Sequence, residues 1–265
     1  MLLILKFLNI MKAFNFYARL FIIMFITVIM SACKKDTKVP DKVEEPESTT
    51  TSVTFSFIPK NGAQTLLWDS ISNTNAAGNQ FSVNTINLYI SNVWLKHANG
   101  SIFKSNQVFY IDTKIASKST FQLSDVPKGD YVEVQFLLGL DTIKNVDNGL
   151  ETTMDNLNMA WPTMMGGGYH FIKMEGHYLD GASVSKGYAV HLGKNENLVQ
   201  VTILKNLSFP NASHQCSISF DVNEAFTSPY LYDLNAEANY TMSDSIAMSH
   251  IKTNLQDAFN IIQNN

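Results

Sequence analysis

Beyond residue 52 the apolar positions recur every second residue, the period of a half-buried β-strand. Val53, Phe55 and Phe57 alternate with Thr54 and Ser56 and predict a first strand. Phe81 to Trp94 predicts a long one, with Ile86, Leu88 and Ile90 on one face. Gln107–Ile111, Thr120–Leu123 and Tyr131–Leu138 follow, the last two flanking Pro127-Lys128-Gly129-Asp130, whose Pro and Gly suit a tight turn. Strands resume at Tyr169–Tyr178, Tyr188–Leu192, Leu198–Leu204 and His214–Val222. Within Tyr169–Tyr178 the odd positions Lys173 and Glu175 fall on one face. His170, Ile172 and Met174 fall on the other. Glu175 reads chiefly as half of a structural charge pair, with Lys173 or a cross-strand partner.

Two segments break the alternation. Asp141–Thr163 carries Asn145, Asp147, Asn148 and Gly149 and predicts a long excursion with at most short helical turns. Long loops in compact domains carry function disproportionately often. Near the C-terminus Ile251, Leu255, Phe259 and Ile262 mark one stripe of a helix, with Ser243 or Asp244 placed to cap its start. The expected fold is mainly β: an antiparallel Ig-like or Greek-key sandwich with a long irregular loop and a C-terminal α-helix.

The first 52 residues follow other rules. Lys6, Lys12 and Arg19 precede an uncharged run of 11 residues, Leu20–Met30, ending in Ser31-Ala32-Cys33. A spanning helix needs about 20 apolar residues, so residues 1–32 read as an export signal, with Met11 an alternative start. Small residues directly before a cysteine resemble the site cut in bacterial lipoproteins, which makes Cys33 the lipidated residue and the cell envelope the address. Residues 33–52 then form a tether of Lys, Asp, Glu, Pro, Ser and Thr, too poor in apolar side chains to fold. Residues 53–265 form the domain.

A net charge of −4 gives no basic footprint for nucleic acid. With Cys33 assigned to lipid, Cys216 stands alone and no disulfide framework exists; its alternating surroundings make it a buried apolar group. No G-x-S-x-G, H-E-x-x-H, P-loop or dinucleotide fingerprint is present. A hydrolase built on Glu175 with Asp141 or His177 has nothing in its spacing to demand it. Gly166-Gly167-Gly168 precedes a strand and reads as a turn. The remaining chemistry is soft. Met164-Met165 lie beside Trp161 in the excursion, and Met248 and His250 lie near the last helix. Thioether and imidazole together suit copper; taken singly, the same residues are ordinary core and surface groups.

Several short segments in order carry a resemblance. They are Leu88-Tyr89-Ile90-Ser91-Asn92-Val93, Gly139-Leu140-Asp141, Tyr169 to Gly176, His191-Leu192-Gly193, Ala247-Met248-Ser249-His250 and Asn254 to Phe259. Together they resemble the MbnP-like domain family over residues 53 to 262. The resemblance implies a periplasmic or outer-membrane sandwich that handles copper and accompanies methanobactin operons. It also implies a tryptophan oxidised to kynurenine by a di-haem partner of the MauG or cytochrome c peroxidase type. The family's W-x-W motif is here Trp161-Pro162-Thr163, with Thr163 in the second place. The expectation is a binding protein, not an enzyme. Copper ligands are sought among His191, His170, Met164, His250 and Met248, and Trp161 is the oxidised residue, exposed on its loop. The competing expectation is a non-metal adhesion or interaction module on a lipid tether.

Overall fold

A computed structural model describes residues 48–264. The export signal, Cys33 and most of the tether lie outside the described residues. Ser48–Asn265 form one compact unit. The first strand, β1 (Thr50–Asn61), begins before the expected Val53. β-Branched Thr50 and Thr51 pair with Pro127 and Val126, which draws the end of the expected tether into the sheet.

The chain folds into two sheets packed face to face. Between β1 and the next long strand lie three two-residue strands: β2 (Gln64–Thr65), β3 (Asn73–Thr74) and β4 (Gln80–Phe81). Then come β5 (Thr85–His97), β6 (Ile102–Asp112), β7 (Thr120–Pro127) and β8 (Gly129–Leu138). After the excursion follow β9 (His170–Leu179), β10 (Ser185–Gly193), β11 (Val199–Phe209), β12 (Ser213–Asp221) and β13 (Phe259–Asn264). One sheet runs β13-β12-β1-β2, with β7 also on β1. The other runs β11-β8-β5-β9-β4-β3, with β6 on β5 and β10 on β9. Strand pairs are antiparallel except β1 with β12. Alternate residues of both sheets, such as Val53 and Phe55 on β1 and Ile86, Leu88 and Ile90 on β5, are fully buried between them. Cys216 is buried there too.

Two expectations change in detail. The long strand from Phe81 is broken at residues 82–84, where Ser82 and Asn84 bond the main chain of β9. The helical stripe also divides. The excursion holds α1 (Met154–Asn158), and the C-terminal helix α2 (Ser245–Asn254), capped by Asp244, stops short of Phe259. The Asn254 side chain donates to the carbonyls of Ala225 and Tyr230 and fixes that end. Phe259 and Ile261 then alternate into the core along β13, whose neighbour β12 supplies the main-chain partners a helix would forgo. Ile262, counted on the helical stripe, faces solvent. Among the described residues no helix is long and apolar enough to cross a membrane.

Candidate functional site

The site begins with an irregularity in register. On the β9–β10 ladder Leu192 pairs with Ile172, but Gly193 pairs with His170, so Phe171 is an extra residue. Such bulges re-aim side chains and cluster beside functional sites. Strict alternation puts His170 with Ile172 and Met174. The bulge turns it instead to the face of His191, which sits opposite Lys173. The two imidazoles meet edge to face, centroids 4.8 Å apart at 86°.

Trp161 closes the cluster. Its ring centroid is 4.7 Å from that of His170. The expectation of an indole exposed on a loop is not met: Trp161 is 1% exposed. Its backbone N–H donates to Gly168 O at 2.9 Å. A Cβ at Gly193 would lie 2.3 Å from the indole Cε3, so the ring rests where only glycine leaves room. The glycine run is the left-handed turn expected of it, with φ of 115°, 71° and 82°. Asp147 accepts from Gly168 N at 2.8 Å and from Thr163 Oγ1 at 2.9 Å. Asn145 accepts from Tyr169 N at 2.9 Å and donates to Asn195 at 2.8 Å. Sequence reasoning recorded Asn145 and Asp147 as loop residues and missed that they fasten the turn carrying Trp161. The signal was there, in amide and carboxylate side chains facing a glycine run.

The cluster is short of hydrogen bonds. His170 Nδ1 lies 3.0 Å from Met159 O. A carbonyl only accepts, so Nδ1 carries the hydrogen and Nε2 holds a bare lone pair. Among the described residues three buried side-chain polar atoms lack a partner, and two are His170 Nε2 and Trp161 Nε1. An unpaired buried polar group costs about 1–3 kcal/mol. Burial pushes the His170 pKa down to about 4, so the lone pair stays free at neutral pH. Glu175 Oε1 lies 2.7 Å from His191 Nε2 and 3.6 Å from Lys173 Nζ. The His191 hydrogen bond, then the lysine charge, hold this carboxyl below its ordinary range against the opposing effect of burial.

Of the five expected ligands, His170 and His191 come together. Met164 is wholly in solvent. Met248 is buried, its sulfur 3.5 Å from Asn197 Nδ2. His250 stacks on Tyr230 at 4.0 Å. Asp141 is taken up by Asn92 and the backbone N–H groups of Ile143 and Lys144. Among the described residues no three His, Cys, Asp or Glu side chains converge as a metal set. His170 offers a buried, unclaimed imidazole nitrogen, a donor type that suits copper along with zinc, iron and nickel. A cavity of about 180 Å³ adjoins Trp161, lined by Asp147, Glu151, Asn156 and Tyr169. An open depression of about 560 Å³, lined by Tyr188, Tyr240 and Met242, adjoins Glu175 and His191.

Two sheets, a bulged strand and a buried histidine–tryptophan cluster at its start define the class: a β-sandwich with a polar site set into one sheet. The chain belongs to the MbnP family, whose model matches residues 50–249. The solved structure of MbnP from Methylosinus trichosporium is similar in fold, with a TM-score of 0.55 and 13% identity over 82% of this chain and 100% of that one. No curated protein matches.

Proposed function

We propose that the protein is a cell-envelope lipoprotein, anchored through lipid at Cys33, that binds copper at His170 and His191 beside Trp161. It acts as a binding protein, not an enzyme, together with a di-haem peroxidase-type partner whose target is Trp161. The observation that carries the reading is the buried, unclaimed lone pair of His170 Nε2, on a ring whose centroid lies 4.7 Å from that of Trp161 and 4.8 Å from that of His191. Bound copper supplies a redox-active cation there. The chain's own part is to hold two imidazoles at a fixed angle and to bury the indole.

Intact-mass and metal analysis of the protein isolated from its native envelope tests the proposal. The expected result is a lipid-modified Cys33, Trp161 converted to kynurenine with one carbon lost and one oxygen gained, and copper near one per chain. An unlipidated chain with unmodified Trp161 and no copper contradicts it. That result favours the interaction module, for which the exposed Ile143, Met154, Leu157 and Met164 of the excursion supply a surface.

A further inference from the structure

His191 is the less obvious of the two imidazoles, because its Nε2 is already engaged. We infer that Glu175 is a positioning residue that holds His191 as its Nε2–H form and turns Nδ1 into the atom that binds. The inference rests on the copper reading above.

The argument is one of donors and acceptors. A charged carboxylate has no hydrogen to give, and a neutral imidazole has one. At 2.7 Å from Glu175 Oε1, His191 Nε2 is the nitrogen that carries a hydrogen, and in the neutral imidazole that leaves Nδ1 bare. His170 is arranged the same way with its nitrogens exchanged: Nδ1–H donates to Met159 O and Nε2 is bare. Histidines that bind metals commonly give their second N–H to a carboxylate or a backbone carbonyl, which fixes both tautomer and ring orientation. Here one ring has each kind of support.

Glu175 is itself held in place. It lies on β9, between β5 and β10, opposite Thr85 and Ala189. Its carbonyl accepts from Asn84 N at 2.7 Å. Lys173 Nζ stands 3.6 Å from the same Oε1 that meets His191. The His191 backbone is clasped by the buried Thr241, whose Oγ1 accepts from His191 N at 2.8 Å and donates to His191 O at 2.7 Å. The main chain is thus fixed by Thr241 and the ring by Glu175. A merely structural ion pair would have no need of an imidazole 4.8 Å from a second one that carries a bare nitrogen.

The test uses the full chain labelled with 15N-histidine and free of metal, at pH 7.5, with Glu175→Leu and Glu175→Gln. The expected spectrum shows His191 wholly as the Nε2–H form with a downfield, slowly exchanging proton. That proton is lost and the tautomers mix in Glu175→Leu, and it persists in Glu175→Gln, whose amide oxygen still accepts. Cuprous affinity falls about 10–100-fold in Glu175→Leu and within a few-fold in Glu175→Gln. A hydrogen found on Nδ1, or a resonance and an affinity unmoved in Glu175→Leu, overturns the role of Glu175. The expected spectrum in a wild-type chain that binds no copper leaves that tautomer assignment standing and overturns the copper reading.

Discussion

The seam between the two sheets and the cluster at the start of β9 are both aromatic and both buried, yet they are built to opposite ends. In the seam Phe55 stacks on Phe121 at 5.0 Å, and Phe121 on Phe109 of the facing sheet at 4.5 Å. Phe220 stacks on Phe259 at 4.9 Å, and Phe259 meets Phe136 edge-on at 5.4 Å. These rings carry no polar atom, and each gains from leaving water. At the cluster Trp161, His170 and His191 pack as closely but bury an N–H and a lone pair with no partners. The seam is where the fold gains stability, and the cluster is where unpartnered polar atoms give some of it up.

Truncation separates the two regions most sharply. Phe220→Ala leaves a cavity in the seam and is expected to lower stability by about 3–5 kcal/mol in denaturant titration, with the cluster's spectra unchanged. A loss below 1 kcal/mol would make the seam no more than filler.

Acid is the next largest lever, and it acts on the cluster. The folded pKa of His170, about 4, lies below the ordinary histidine value of 6.5. As pH falls below 6.5 the unfolded chain takes up the proton first. Stability due to this group is therefore full above pH 6.5 and drains away towards pH 4. The loss amounts to about 3 kcal/mol at 1.36 kcal/mol per pH unit. Unfolding free energies measured across that window should show it, and His170→Phe should remove it. A wild-type slope equal to that of the variant contradicts the burial of a neutral His170.

Gly193→Ala pushes a methyl group into the indole and is expected to cost about 1–3 kcal/mol, with a shifted Trp161 emission read against a Trp161→Phe control. An unshifted emission would show that the indole does not lie on Gly193. Smallest is His170→Phe at pH 7.5, expected within about 1 kcal/mol of wild type. The bond given up to Met159 O is offset by removal of an orphaned nitrogen, and that carbonyl still accepts from His170 N at 2.7 Å. A loss as large as that of Phe220→Ala would make His170 an ordinary core residue and erase the distinction between the regions.

How far these regions were legible in the sequence follows from what each depends on. The seam is written in period two, so β1, β5 and β12 are readable from Val53, Phe55, Ile86, Leu88 and Phe220 alone. The final strand was not, because Phe259 fits the helical stripe of Ile251 and Leu255 as well as a strand. The stop at Asn254 depends on carbonyls some two dozen residues away. Of the cluster, His170, His191 and Trp161 were singled out. Their meeting was not derivable, since a bulge at Phe171 has no signature in local alternation and it reverses the face of His170. Met164, Met248 and His250 carried the right chemistry at positions the fold sends elsewhere.

The most direct measurement is an anaerobic cuprous titration of the wild-type chain beside His170→Phe, with thermal unfolding of both followed in parallel. The account expects about one copper per wild-type chain and none in the variant, at nearly equal stability. A wild-type chain that takes up no copper, or a His170→Phe chain that binds it as tightly, contradicts the claim that the unpaired nitrogen of His170 is held for a metal.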